Sequence, residues 1–365
     1  MVRFLRGGGL LGVALLALIV VLAFLAPLPL THPTFKDLRG AYHVHSTRSD
    51  GWGAPEKVAH AAHEAGLSFV VLTDHNVETL APPVYLEGVL LVSAVELSTA
   101  SGHLVALGMP RGLTREERRL DPIGTVERLG GFSILAHPVQ NRWPWTDWKI
   151  AERVNGFELY SGDTLFRRAL EHPVTGMIPA LAAYLGRPVQ GIASLMEGDS
   201  DATARMLSVS QTRLKVALCG LDAHGYPPYE SIFGALSMHV PSASNSLPLD
   251  PVAAAALVLE SFRSGAAYCV LDGAAAAPHF SVEGLPSSRV VPVHARLRPR
   301  FPGGEPGAWR WQVTGPAHVD PDGVTVVTDG PGPVQAEIWI RMPGLLLLPV
   351  WRPWIVPSPF EVRNP

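Results

Sequence analysis

The feature that most limits what this chain can fold into is a series of short apolar runs, each closed by a histidine or an acid. They occupy residues 41–45 (AYHVH), 69–75 (FVVLTDH), 90–96 (LLVSAVE), 133–137 (SILAH) and 216–224 (VALCGLDAH), with a further run, 103–108, that opens on His103. Buried strands of parallel sheets read as continuous apolar runs. Barrel enzymes carry their chemistry where such strands end. The repetition therefore predicts an α/β architecture with one chemical site.

The first run sets the kind of site. If residues 41–45 form a strand, its side chains alternate and His43 and His45 share a face. Asp50, past the turn in Ser46-Thr47-Arg48-Ser49-Asp50-Gly51, can swing a carboxylate back to the same point. Mixed nitrogen and oxygen donors suit divalent transition metals. This stretch alone fits a surface strand with two solvated histidines and an Asp-Gly turn equally well. The downstream runs move the balance toward a metal site by adding His75, Glu96, His103, His137, Asp222 and His224.

In this order the phrases HxHxxxSDG, TDH, a strand-end Glu, AHP and DAH resemble the polymerase and histidinol phosphatase (PHP) superfamily of metal-dependent hydrolases over roughly residues 40–280. One departure is Leu221, where such proteins commonly carry Ser in GSDAH. The resemblance implies a distorted (β/α)7-type barrel and two or three divalent ions, of Mn, Fe or Zn. It divides the ligands into His43, His45, Glu96 and Asp222 for one ion, Asp50, His75 and His224 for a second, and Glu96, His103 and His137 for a third, with Glu96 bridging. It implies hydrolysis of a small-molecule ester by water activated between ions, phosphoesters first. Arg48 and Arg142 are candidate catalytic residues, because a guanidinium matches phosphate oxygens; each reads equally as a surface arginine.

A membrane-anchored arrangement with a C-terminal β-domain also resembles the carbaryl-hydrolase-like branch, which implies carboxylic-ester or carbamate hydrolysis as the alternative. From another class, a non-catalytic envelope-binding module with a structural metal site remains open.

Length and charge bound the rest. The 365 residues suffice for a large core plus an appendage. With a formal net charge of −3 and no Lys/Arg block, no nucleic-acid partner is expected. Residues 1–30 begin with Arg3 and Arg6, then run apolar from 10 to 26, long enough for a membrane helix. The expectation is an uncleaved anchor with the catalytic part exported, a cleaved signal being the alternative.

Residues 31–278 are assigned to the metallohydrolase domain, and 279–365, with short alternating runs between Gly/Pro turns, to an antiparallel β-sandwich-like domain. Residues 174–196 read as a buried helical pair, since Pro179, Arg187 and Pro188 would be costly in a bilayer. The tryptophans at 143, 145 and 148 fit either a substrate wall or a lid packed on itself. Glu158 and Tyr160 fit either a supporting role at the site or a plain strand end. Cys219 and Cys269 could pair in an exported protein, but sequence cannot give their separation, and Cys219, inside an apolar run, reads rather as a buried free thiol. Oligomeric state is not legible.

Overall fold

The computed structural model describes residues 12–18, 37–242, 244–275, 277, 279–300, 309–343 and 349–364. Residues 12–18 are helical, and the rest of the expected anchor at 1–30 lies outside the described residues. Among the described residues no helix is long and apolar enough to cross a membrane.

The strands that open the chain are β1 (Leu38–Val44), β2 (Phe69–Leu72), β3 (Val84–Leu86) and β4 (Val89–Ser93). Helix α1 (Pro55–Glu64) links β1 to β2, and β1, β2 and β4 run parallel, as the apolar runs require. Its start follows from Pro55 at the first helical turn, and it buries Val58, Ala59, Ala61 and Ala62.

A second sheet holds β5 (Val95–Thr99), β6 (Gly102–Leu107), β7 (Phe132–Leu135), β8 (Gly156–Ser161) and β9 (Val216–Gly220). Here β5 and β6 form an antiparallel hairpin, whereas β7, β8 and β9 are parallel. The charged stretch between β6 and β7 forms α2 (Arg115–Leu120) and α3 (Pro122–Arg128), the first opened by a capping box between Thr114 and Glu117.

In place of a closed barrel, the described residues show a mixed α/β fold in which these two sheets meet at two seams. At one, the amide of Leu221 donates to Tyr42 O at 2.9 Å and that of His45 to Ala223 O at 2.9 Å. At the other, the amides of Ala94 and Glu96 donate to Leu72 O at 2.7 Å and Thr73 O at 3.0 Å. Both seams lie where the ligand-bearing strands end.

After β8 come α4 (Gly162–Glu171), α5 (Ile178–Gly186), α6 (Pro188–Ala193) and α7 (Ser200–Val209). The helical pair expected at 174–196 is present, but it is not buried. Leu181 and Leu185 of α5 are 54% and 64% exposed, because α5 packs by one face only and turns the other outward. Helix α8 (Tyr229–Ala235), strand β10 (Ser237–Val240), helix α9 (Pro251–Ser264) and strand β11 (Tyr268–Val270) complete this part. Cys219 in β9 and Cys269 in β11 form a disulfide, correcting the expected free thiol. The two apolar strands come together across the core, which sequence spacing does not reveal.

The later strands are β12 (Ser281–Glu283), β13 (Val290–Pro292), β14 (Arg296–Arg300), β15 (Trp309–Thr314), β16 (Ala317–Val319), β17 (Val326–Thr328), β18 (Gly332–Pro343), β19 (Pro349–Pro357) and β20 (Phe360–Arg363). They divide in two. Strands β12, β14, β17 and β16 make a sheet of their own, while β19 pairs antiparallel with β11 and so extends the first sheet through β18, β20 and β13. Strands β13, β15, β18, β19 and β20 thus share a hydrogen-bonded sheet with β1.

Candidate metal centre

The nine candidate ligands fall in one cluster, with Glu96 buried at the start of β5 and in reach of five histidines. Its Oε2 lies 3.1 Å from His43 Nε2, 3.2 Å from His45 Nε2 and 3.2 Å from His75 Nδ1. Its Oε1 lies 2.8 Å from His103 Nδ1 and 3.1 Å from His137 Nε2. Asp222 Oδ1 stands 3.4 Å from His43 Nε2 and 3.3 Å from His45 Nε2. Asp50 approaches His75 Nε2 at 3.6 Å and His224 Nε2 at 3.4 Å.

The donors fall into three groupings: His43, His45, Glu96 and Asp222; His45, Asp50, His75 and His224; and His75, Glu96 and His103. The first is the expected set. The second adds His45 to the expected trio, and in the third His75 takes the place expected of His137, which stays beside Glu96 Oε1.

The chemistry of the donors tests whether a cation fits. His43 Nε2, His45 Nε2, His75 Nδ1 and Glu96 Oε2 are buried and have no hydrogen-bond partner among the described residues, although they stand close together. Buried polar atoms are otherwise paired almost without exception. Short separations without hydrogen-bond geometry mean that lone pairs converge on a shared point. Nitrogen and carboxylate donors in that arrangement fit divalent transition ions.

The backbone pays heed to the same point. His43, His137 and Asp222 have φ of 63°, 32° and 51°, the left-handed region that residues with a side chain rarely adopt. His43 also sits at a bulge, where the β1–β2 register shifts between Tyr42 and Val44. The convergence of His43 and His45, expected from simple alternation, is instead produced by this bulge, with the rings 5.2 Å apart.

Two acids outside the ligand set hold it in place. Glu158 of β8 accepts from His43 Nδ1 at 2.6 Å and from the His137 amide at 2.9 Å. A proton on Nδ1 leaves the Nε2 lone pair free for a metal, the usual partnership of a ligating histidine. Gly220 makes room for it: a Cβ there would come within 2.4 Å of the Glu158 carboxyl carbon. Asp74 accepts from the Ser46 amide at 2.7 Å, Ser46 Oγ at 2.8 Å and Ser49 Oγ at 2.8 Å, fixing the turn that carries Asp50. Sequence reasoning left Glu158 open and did not single out Asp74. The available signal was a glutamate inside an apolar run, since buried acids are rarely without partners.

Burial opposes charge throughout, and the neighbours reverse it. Desolvation would push Glu96 and Asp222 up, but the imidazoles, His43 foremost, hold both below the usual carboxylate range. His45 is likewise opposed by burial, yet Asp222 and Glu96 raise it to about 9. For His75 burial dominates and lowers it.

The centre opens into a cavity of about 730 Å³. Trp143 lines it and stacks on His103 with ring centroids 6.2 Å apart, with Arg142 over its other neighbourhood at 5.6 Å from the ring. Trp145 is buried, so the loop combines both expected roles, one tryptophan walling the cavity and another packed in the core. Arg142 reaches the cavity lining. Arg48 is exposed in the turn after β1 and is not part of that lining. Arg167, which was not foreseen, lines it and is paired with Asp163 at 2.5 Å.

No family model and no curated protein matches the chain. Among solved structures, a two-domain protein from Bacteroides vulgatus, described as containing a predicted PHP-like metal-dependent phosphoesterase, aligns over 92% of this chain and 98% of its own, at 13% identity and a TM-score of 0.41. PsfC from Pseudomonas syringae aligns over 62% of this chain and 98% of its own, at 14% identity and a TM-score of 0.36. An amidohydrolase from Chromobacterium violaceum, with bound sulfate and no metal, aligns over 51% and 87%, at 15% identity and a TM-score of 0.31. Likeness at this level is loose, and the geometry of the site carries the functional reading.

Proposed function

We propose that this protein is a metal-dependent hydrolase of the PHP kind acting on small phosphoesters. The observation that carries the reading is the set of buried, unpartnered donors converging on Glu96 Oε2. Two or three divalent ions, when bound, supply an activated water and positive charge for the oxyanion that develops. The chain's own residues do the rest. Glu158 holds the His43 tautomer, Asp74 holds the Asp50 turn, and Trp143 shields His103 from solvent. Arg142 offers a guanidinium for the non-reacting oxygens of the ester. In the reaction an oxygen from water bonds to phosphorus, the ester P–O bond breaks, and the alcohol leaves with one of the water's protons.

Carboxylic-ester or carbamate hydrolysis at the same centre is the second reading, favoured by the aromatic Trp143 and the pairing of Arg167 with Asp163, which withholds positive charge from the cavity. Metals per chain, measured by mass spectrometry on protein purified without chelator, followed by parallel assays on 4-nitrophenyl phosphate, bis(4-nitrophenyl) phosphate and 4-nitrophenyl acetate, test both. Two or three equivalents with turnover of a phosphoester support the first. Turnover of the acetate alone supports the second. No metal after incubation with Mn, Fe or Zn sinks both and leaves a binding module.

Residues 1–30 serve, in this reading, as the membrane anchor with the hydrolase exported. The Cys219–Cys269 disulfide supports that placement, because such bonds persist in oxidising compartments.

A further inference from the structure

One part of the cavity wall differs from the metal centre in every respect. Phe166, Ile192, Leu195, Leu221, Pro227 and Ile232 line it, and all of them except Leu221 are only half-buried. A smaller cavity of about 40 Å³ lies behind this wall, sharing Ile192, Leu195, Leu221 and Ile232 with the large one. Its other lining is apolar too, from Leu165, Ala193, Met196 and Leu271 among others. The apolar wall begins beside the reacting centre, for Leu221 directly precedes the ligand Asp222. Concave apolar surface left facing a cavity is a site for an apolar group, because filling it removes hydrocarbon from water on both sides.

Resting on the hydrolase reading above, we propose that the substrates are amphiphilic esters. The ester head lies over the metal ligands and an alkyl group lies along Phe166, Ile192, Leu195 and Ile232 with its tip toward the small cavity. The centre by itself does not distinguish one ester from another; the wall does. It selects for hydrocarbon next to the ester and gives nothing to a purely polar substrate.

The test is calorimetric binding of methylphosphonate and hexylphosphonate to the manganese-loaded full chain, with acetate and hexanoate as a parallel pair. Blank titrations into the same medium are subtracted. Hexylphosphonate should bind at least about tenfold more tightly than methylphosphonate, the transfer of only two methylenes from water being enough for that ratio. In Leu195→Asp and, independently, Ile232→Ser, the hexyl-to-methyl ratio should fall toward one, with metal content and circular dichroism confirming that each variant folds. Equal affinities within both pairs overturn the inference, as does a preference unchanged in both variants. A hexanoate preference without phosphonate binding keeps the apolar wall and overturns the phosphoester head instead.

Discussion

Among the described residues, two clusters of histidine and carboxylate invite comparison, and the donors of one suit a cation whereas those of the other are already paired. At the metal centre, Glu96 Oε2 is surrounded by three ring nitrogens and bonded to none of them. At the junction of β1, β10 and β11, the Asp272 side chain is largely enclosed too but has its own partners. Arg39 reaches it at 3.2 Å, Ser237 Oγ at 2.5 Å and His239 Nε2 at 3.3 Å. The ingredients are similar and the geometry decides. Where a guanidinium already sits among the oxygens, the cluster joins strands. Where buried donors stand close together without hydrogen-bond partners, the arrangement suits a cation.

Replacing a central ligand should break the comparison most severely. Glu96→Ala should lower turnover by about 10³-fold or more and remove at least one metal equivalent, checked by steady-state kinetics and mass spectrometry. Glu158→Gln should act more mildly, since the amide still occupies the site but no longer favours a proton on His43 Nδ1. Metal affinity should drop by about 10–100-fold in a chelator competition, with the melting temperature of the metal-free chain little changed.

Asp272→Asn probes the other cluster. Metal content should stay intact while urea unfolding loses about 3 kcal/mol, the scale of a broken buried ion pair. Burial acts to raise Asp272, and Arg39 and His239 outweigh it to lower it. Its contribution is therefore present above the ordinary carboxylate range and lost as the pH falls through its depressed value. An unchanged stability with reduced metal would collapse the distinction between the clusters.

A third acid sharpens the contrast. Glu337 of β18 accepts from Tyr160 Oη at 3.0 Å and Trp339 Nε1 at 2.8 Å, neutral donors both, and burial raises it to about 7. The folded chain holds this proton more tightly than the unfolded one, so stability falls as pH rises from the ordinary carboxylate value to about 7. Glu337→Gln should therefore stabilise by about 2 kcal/mol at pH 8 and by little at pH 5, seen in paired thermal melts.

The candidate ligands were legible as a group because coordination chemistry admits few residue types and strand ends place them predictably. The supporting acids were not equally so. A glutamate such as Glu158 in an apolar run says that something must neutralise it, but not that His43 and the His137 amide lie opposite. The helical pair at 174–196 was readable as helices, whereas its exposed face depended on what packs beside it. The Cys219–Cys269 bond depended on β9 meeting β11 across 50 residues of intervening chain.

By itself the sequence determined the chemistry: which groups can bind a cation, their order along the chain, and the parallel strands that end in them. These follow from side-chain identity and local periodicity, which are properties of neighbours in sequence. Tertiary structure alone decided that His43 reaches the centre through a bulge with φ of 63°, that β13, β15, β18, β19 and β20 continue the first sheet, and that Leu221 begins an apolar wall beside Asp222. Each of these depends on which distant segments touch, and contacts between distant segments are set by packing the whole chain into one core.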